Sequence, residues 1–268
     1  MKYNVYSVMN SAYYKFGTIL INSIKKNCDL NNIEKIYILS TGMSDSQLIE
    51  IDKLVPGKLV IIKARQDGKI LDTSSFGGVW GREWHLNICI KTPGLHKILF
   101  ETKTPTVMID ADCMVVKDIH DLLLEGGDIQ VCFRPLHRVP YLASYFAALD
   151  VEKSIIFIRR WMSAIEDAYN NNKNNSPKES PALSATILGD SGINIVRHEV
   201  DKVSQYYCVN FNKGNETVMY GTIRSNEIYI FHFKGTRQYK DADENFRVRI
   251  IDKGFYDAVK EYLCADLE

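Results

Sequence analysis

Two kinds of apolar spacing alternate along the N-terminal part of the chain. Short apolar runs rich in β-branched residues at 3–9, 35–39 and 58–63 predict strands. Between them, apolar residues recur at helical spacing over 16–26 and again after Ser44, which is a favourable N-cap residue. This order of strand, helix, strand, helix, strand is typical of a parallel sheet with helices on its faces. We therefore predict a Rossmann-like α/β fold with a central, mainly parallel sheet flanked by helices.

The rest of the chain continues the alternation of strands, helices and loops. A loop is predicted over 65–81, followed by a helix over 82–91 that ends before Thr92-Pro93. A second short helix is expected through Leu95 and Leu99. The other predicted elements are strands at 106–110, 128–133, 141–149 and 227–233, helices at 151–168 and around 255–263, and a polar, proline-containing loop at 170–181.

Composition limits the classes of function. The chain has 268 residues, with 33 Lys and Arg balanced by 33 Asp and Glu, so it lacks the basic excess typical of nucleic-acid-binding proteins. None of its six cysteines forms a C-x-x-C pair, so the sequence does not suggest a zinc site. The sequence offers neither a signal peptide nor an apolar run of about 18 residues that would span a membrane. We expect a cytoplasmic protein and leave open an association with the inner face of a membrane.

Two carboxylates at the end of an apolar run carry the strongest chemical signal. Asp110 and Asp112 follow the predicted strand 106–110, and ligands of α/β sheets bind beyond the carboxyl ends of strands. Two carboxylates held so close repel each other and lose solvation, and a divalent cation relieves both costs. Oxygen ligands suit Mg²⁺ or Mn²⁺. The alternative is a surface turn with two solvated aspartates.

A histidine after a second apolar run strengthens the metal hypothesis. His232 follows the apolar run 228–231 and precedes Phe233, Lys234 and Gly235. A neutral imidazole can complete a metal site that has two carboxylates. Lys234 or Arg237 is suited to phosphate oxygens, and Gly235 lets the backbone approach a ligand closely. An isolated histidine at such a position would more often be a hydrogen-bonded core residue.

These segments together resemble the GT-A nucleotide-sugar glycosyltransferases, most of all family 8, which includes glycogenin and bacterial galactosyltransferases. The matching segments are 5–13 with 20–24, then Lys91, then the D-x-D of Asp110 and Asp112, and finally 232–235 as the family's H-F-x-G. The resemblance implies a UDP-sugar donor, Mn²⁺ or Mg²⁺ as cofactor, and retention of the anomeric configuration.

The resemblance also implies roles for individual residues. Tyr13 would stack on uracil and Asn10 would contact the base. Lys91 would face the donor phosphates or sugar as a catalytic residue, and Lys234 and Gly235 would contact the diphosphate. The metal ligands would be Asp110, Asp112 and His232, with Asp110 also counted among the donor-binding residues.

Two departures from the family pattern concern the donor end of the site. The family's Lys-Pro-Trp is replaced by residues 238–240, so Lys234, Arg237 and Lys240 all remain candidates for the diphosphate contact. The family's D-Q-x-x-L-N segment corresponds to 189–194, where either Asp190 or Ser191 takes the place of the usual glutamine. We assign Asp190 as the catalytic polar group on the sugar side.

The sequence-based hypothesis is a single GT-A domain over 1–268, with a nucleotide-binding half at 1–135 and an acceptor-side half at 136–268. It would transfer a sugar from a UDP-sugar to a saccharide, a lipid-linked saccharide or a protein. A phosphatase of the haloacid-dehalogenase type is disfavoured, since its motif places Thr or Val where Met114 stands. The remaining alternative is a degenerate GT-A domain that binds nucleotide-sugar or glycan without turnover.

Overall fold

A computed structural model describes residues 1–66, 69–73, 88–171, 178–189, 192–206, 208–212, 215–219, 228–233, 238–240 and 246–248. Its strands are β1 (Tyr3–Met9), β2 (Ile33–Ser40), β3 (Leu59–Lys63), β4 (Arg65–Gln66), β5 (Lys69–Ile70), β6 (Thr106–Ile109), β7 (Cys113–Val115), β8 (Ile129–Phe133), β9 (Tyr141–Ala148), β10 (Ile195–Glu199), β11 (Gln205–Tyr206), β12 (Cys208–Asn212), β13 (Asn215–Met219), β14 (Ile230–His232), β15 (Gln238–Lys240) and β16 (Phe246–Val248). Its helices are α1 (Tyr14–Asn27), α2 (Asp45–Asp52), α3 (Lys91–Thr102), α4 (His120–Leu123), α5 (Val151–Asn171), α6 (Glu179–Gly189) and α7 (Val200–Val203), and a 3₁₀ turn spans Ser11–Tyr13.

The central sheet has seven strands in the order β10-β8-β9-β6-β1-β2-β3. Its pairs are parallel except those of β9, which runs antiparallel to both β6 and β8. The carboxyl ends of β1, β6 and β8 therefore lie at one edge of the sheet. The predicted α/β class with a mainly parallel sheet is confirmed.

Helices cover both faces of this sheet and bury two apolar layers. One layer contains Leu20 and Ile24 of α1 with Ile51 of α2, packed against the strands. The other contains residues of α3, α5 and α6, among them Leu95 and Trp161. Within the part of the chain that the structure describes, no helix is both long and apolar enough to cross a membrane.

The start of α2 follows directly from the local sequence. The backbone N–H of Gln47 donates to the Ser44 hydroxyl (3.3 Å), and the Gln47 side chain accepts from the Ser44 N–H (3.0 Å). This reciprocal capping box satisfies two N–H groups that the first turn of a helix leaves without partners. The predicted cap is confirmed, and the helix ends at Asp52, just before the predicted Pro56-Gly57 stop.

One boundary next to a proline was predicted correctly and another was wrong. Residues 88–89 are helical and Ile90 is a turn, so a helix ends just before Thr92-Pro93 as predicted. The predicted second helix through Leu95 and Leu99 is α3, which begins at Lys91 and has Pro93 in its first turn. Pro181 likewise lies in the first turn of α6, and α5 extends to Asn171, so the predicted 170–181 loop is shorter. A first-turn N–H has no helical partner, so proline costs little there.

Other predictions meet the limits of the described residues. The predicted 65–81 loop contains the short hairpin of β4 and β5. Most of the helix predicted over 82–91, namely residues 82–87, lies outside the described part of the chain. The final helix predicted around 255–263 lies wholly outside it.

A buried polar cluster joins β8, β9 and β10. The Gln130 carbonyl accepts from the Tyr145 hydroxyl (3.0 Å) and lies 3.0 Å from Nε2 of His198. The Gln130 amide donates to the Leu122 carbonyl (2.7 Å), which ties α4 to the sheet. Because Tyr145 already donates to the same oxygen, His198 serves as a second donor through its Nε2–H in the neutral form.

Burial of His198 predicts a loss of stability in acid. Burial lowers the pKa of His198 to about 4, outweighing the raising effect of Glu125. Histidine in an unfolded chain titrates near pH 6.5. The contribution of His198 to the free energy of unfolding is therefore fully present above that pH and is lost as the pH falls towards 4. Urea unfolding should show a loss of up to about 3 kcal/mol from this group, estimated at about 1.4 kcal/mol per pKa unit.

The variant His198→Gln separates this effect from other titrations. Glutamine keeps an N–H donor for Gln130 and has no titratable ring. The difference in unfolding free energy between wild type and variant should shrink as the pH falls from 7 to 4.5. A difference that stays constant over this range would contradict the prediction.

Candidate active site

The main chain changes sheets at the two predicted carboxylates. Strand β6 ends at Ile109, and β7 begins at Cys113 as the edge strand of a three-stranded sheet, β11-β14-β7. Asp110 and Asp112 occupy the turn between the two sheets. The backbone N–H of Asp110 donates to the Ser144 carbonyl of β9 (3.1 Å), and this bond holds the start of the turn against the central sheet.

Strand pairing then places His232 beside these carboxylates. His232 lies directly opposite Cys113 in the antiparallel pair of β7 and β14, and the Phe233 N–H donates to the Asp112 carbonyl (2.8 Å). Nε2 of His232 is 3.3 Å from Oδ1 of Asp112 and 3.9 Å from Oδ2 of Asp110. The structure therefore brings together all three residues predicted as metal ligands.

Two serines that sequence reasoning missed orient the imidazole. Nδ1 of His232 is 2.8 Å from the Ser204 hydroxyl, which is 2.9 Å from the Ser144 hydroxyl, and all three residues are buried. A proton on Nδ1 that donates to Ser204 leaves the Nε2 lone pair facing the carboxylates. Such support on the far side of the ring is the usual arrangement around a metal-binding histidine. Isolated serines carry no sequence pattern that would reveal this role.

Lys91 bridges two carboxylates at the buried side of the site. Its ammonium is 2.7 Å from Oδ1 of Asp110 and 2.9 Å from Oε2 of Glu179. Burial lowers the pKa of Lys91, but Asp110 and then Glu179 raise it more, and the net pKa is above the usual range. The lysine is therefore a permanent positive charge next to the predicted metal ligands.

Glu179 is the acidic residue of this site that the sequence prediction missed. It is the first residue of α6, and its side chain is almost fully buried. Its backbone carbonyl accepts from Nε1 of Trp161 (3.0 Å), and the next residue, Ser180, accepts from the Ala143 N–H (3.2 Å). These bonds fix Glu179 against both α5 and β9. No local motif marks a glutamate that meets its lysine 88 positions away.

Asn10 and Tyr13, the predicted base contacts, lie at the carboxyl end of β1. The Asn10 oxygen accepts from the Tyr13 N–H (3.1 Å), and its amide donates to the carbonyl (3.1 Å) and hydroxyl (3.2 Å) of Thr73. Asn10 is thus buried and shapes the 3₁₀ turn that carries Tyr13. The half-buried Tyr13 ring lies 6.0 Å from that of Phe16, which lies 5.6 Å from that of Phe233.

Burial and neighbouring charges shift the pKa values of several groups around the carboxylates. Burial raises the pKa of Tyr13, and the charges of Asp112 and Asp110 raise it further, so the phenol stays protonated. Burial also raises the pKa of Asp112, but His232 lowers it more, and the net pKa is below the ordinary value. Burial, followed by the charge of Asp112, raises the pKa of the neighbouring Cys113 thiol.

The charge and chemistry of this cluster fit a divalent cation. The carboxylates of Asp110, Asp112 and Glu179 lie close to a single ammonium, that of Lys91. Their net charge is therefore −2, which one divalent cation would neutralise. Two carboxylate oxygens and an oriented imidazole are suitable ligands for Mn²⁺ or Mg²⁺. Three other predicted site residues, Asp190, Lys234 and Gly235, lie outside the described part of the chain and stay predictions.

Comparison with known proteins identifies the fold. No protein-family model and no curated protein sequence matches the chain. Among solved structures, the bifunctional glycosyltransferase WbbM has a TM-score of 0.59 at 13% identity, over 98% of this chain and 49% of its own. An active-site mutant of LgtC has a TM-score of 0.59 at 13% identity, over 98% and 95% of the two chains. This chain has the fold of these glycosyltransferases.

A third structure agrees with this assignment. GlyE from Streptococcus pneumoniae TIGR4 has a TM-score of 0.57 at 12% identity, over 98% of this chain and 61% of its own. The chain therefore spans about half the length of WbbM and nearly all of LgtC. The structural likeness shows the shared GT-A fold. At identities this low it shows nothing finer, so membership of family 8 is a proposal.

Proposed function

We propose that this chain is a metal-dependent glycosyltransferase that moves a sugar from a nucleotide-sugar donor to a glycan or other acceptor. One observation carries the proposal: Asp110, Asp112, His232 and Lys91 converge at the carboxyl edge of a sheet that has the GT-A fold. This is the edge at which open α/β sheets bind their ligands.

The proposed cation would be Mn²⁺ or Mg²⁺, held by Asp110, Asp112 and His232. When bound, it supplies positive charge that stabilises the departing nucleoside diphosphate. The protein's part is to hold its ligands before the donor arrives. The Ser204 hydroxyl keeps the imidazole oriented, and the antiparallel pair of β7 and β14 fixes His232 beside Asp112. Ligands that need no rearrangement make electrostatic stabilisation effective.

Lys91 adds a second fixed positive charge on the opposite side of Asp110. Its ion pairs with Asp110 and Glu179 hold the ammonium in place, so that it can face donor phosphate or sugar oxygens. UDP is the proposed nucleotide, with Tyr13 stacking on uracil at the end of β1. Asn10 would contribute by holding the turn that presents Tyr13, in addition to the base contact proposed for it.

The proposal extends to the donor sugar and the acceptor. A structure of the galactosyltransferase LgtC contains donor and acceptor sugar analogs, and its TM-score with this chain is 0.56 at 10% identity. A hexose donor, retention of the anomeric configuration, and a saccharide, lipid-linked saccharide or protein acceptor are proposed by analogy. Asp190 is proposed on the sugar side, and Lys234 and Gly235 on the diphosphate. We propose a cytoplasmic location.

Calorimetric titration of UDP tests the proposal directly. In the presence of Mn²⁺ we expect a binding isotherm, which EDTA should abolish because the diphosphate would be bound through the cation. A panel of UDP-sugars, followed by detection of released UDP, should then identify the donor. Metal-dependent UDP binding without turnover of any donor would support the degenerate, binding-only alternative. Failure to bind UDP, GDP, CDP and TDP with either metal would refute the donor site.

A further inference from the structure

A thiol lies among the predicted metal ligands. The ligand atoms of Asp112, Cys113 and His232 all lie within 4.8 Å of one another. Asp110 is not part of this compact group, and one of its oxygens is already 2.7 Å from Lys91. The geometry therefore offers a donor set different from the two aspartates and the histidine that the D-x-D pattern suggests.

The position of Cys113 follows from strand pairing. Cys113 begins β7 and lies directly opposite His232 on β14, and residues opposite each other in an antiparallel pair have side chains on the same face. Cys113 is completely buried, and His232 is 3% exposed. The hydrogen bond to Ser204 keeps Nδ1 of His232 turned away from the carboxylates. Strand pairing and burial therefore hold the thiol next to the imidazole.

The three donors suit a thiophilic cation better than a hard one. Mg²⁺ and Mn²⁺ prefer oxygen, whereas Zn²⁺ binds carboxylate, imidazole and thiolate together in tetrahedral sites. We propose that this site has a second binding mode, in which Zn²⁺, Cd²⁺ or Co²⁺ is held by Asp112, the Cys113 thiolate and His232. In this mode the sulfur–hydrogen bond breaks, a metal–sulfur bond forms, and the proton passes to solvent.

The second mode predicts competition between metals. Both modes use Asp112 and His232, so a thiophilic cation excludes the Mn²⁺ that the proposed function requires. Asp110 keeps its ion pair with Lys91 in the zinc mode, because it is not a ligand there. The inference rests on the proposed function only for this competition, since binding of Zn²⁺ or Co²⁺ itself requires no nucleotide and no turnover.

Cobalt spectroscopy tests the sulfur ligand independently of activity. Titration of the protein with Co²⁺ should produce a near-ultraviolet thiolate-to-cobalt charge-transfer band together with the visible bands of tetrahedral cobalt. Cys113→Ser should lose the charge-transfer band, and Cys132→Ser, which removes another buried cysteine, should keep it. Circular dichroism of both variants shows that folding is retained, and Cys113→Ala provides a second variant if serine is not tolerated in the core.

Zinc affinity provides the quantitative arm of the test. Competition with a chromophoric chelator should show Zn²⁺ affinity at least about tenfold lower in Cys113→Ser, while Mn²⁺ affinity falls far less, since Mn²⁺ draws little from sulfur. A charge-transfer band that persists in Cys113→Ser, or equal Zn²⁺ affinity in both proteins, would overturn the second mode. Failure of UDP, GDP, CDP and TDP to bind with either Mn²⁺ or Mg²⁺ would instead refute the proposed donor site, and the cobalt result would stand.

Discussion

Replacing Asp112 with asparagine is expected to lower kcat/KM for sugar transfer by about 10³-fold or more and to abolish Mn²⁺-dependent UDP binding. Asparagine keeps the size of the side chain and removes its charge, so one anionic oxygen is lost from the proposed cation site. Loss of a single electrostatic contact to a developing charge typically costs about 10²–10³-fold in kcat, and a metal ligand affects both binding and chemistry. Calorimetry and initial-rate kinetics measure the two effects.

The fold should survive this substitution. Strand β14 is held next to the Asp112 turn through the backbone, because the Phe233 N–H donates to the Asp112 carbonyl (2.8 Å). Asp121→Asn is a matched control, since Asp121 is exposed on α4 and lies outside the proposed site. Asp121→Asn should leave activity unchanged. Activity of Asp112→Asn within tenfold of wild type, with unchanged Mn²⁺ dependence, would contradict the proposed role.

Elements with strong local signals could be predicted from the sequence. The Ser44 N-cap and the β-branched runs of the first three strands predict their elements to within a few residues. The D-x-D was placed correctly because an apolar run followed by two acids has few stable locations other than a strand end. His232 was placed by its apolar run together with the family resemblance.

The error at the end of the predicted 170–181 loop arose because proline has two local meanings. Proline disfavours helix at the preceding residue but is well tolerated in a first turn, and the sequence around Pro181 allows both interpretations. The structure has a helix start there, with Ala182 and Leu183 buried. Packing of the apolar face, which no local rule contains, selects between the two.

The supporting residues of the site could not be predicted, because their contacts are distant in sequence. Ser204 meets His232 across 28 positions and Ser144 across 60, and neither serine lies in a motif. Glu179 meets Lys91 only because α3 and α6 both begin near the carboxyl edge of the sheet. The sequence does contain a feature at 170–181, but its polarity and prolines favoured a loop over a helix start with a buried acid.

The Lys91–Glu179 pair leads to the second prediction with a large expected effect. Lys91→Met should destabilise the protein by about 3–5 kcal/mol, because it leaves the buried carboxylate of Glu179 and the partly exposed carboxylate of Asp110 without their shared cation. The side chains of Lys91 and Glu179 are 11% and 7% exposed, so solvent screens the pair only weakly. Urea unfolding at neutral pH measures the loss, and transfer activity should fall as well.

The double variant Lys91→Met/Glu179→Gln separates charge balance from catalysis. Removing both members of a buried ion pair costs less than removing one, so the double variant should be more stable than Lys91→Met alone. The cycle of single and double variants gives the coupling between the two residues, expected at about 1–3 kcal/mol. Additive effects on stability would show that the pair does not act as a unit.

Activity in the same cycle decides what Lys91 does. If its ammonium acts on the donor, restoring stability with Glu179→Gln cannot restore turnover, because the positive charge is still missing. The double variant should then be folded and inactive, while Glu179→Gln alone keeps the Lys91–Asp110 contact and a large part of the activity. Recovery of activity together with stability would show that Lys91 only balances charge, and the metal ligands alone would then carry the stabilisation of the leaving diphosphate.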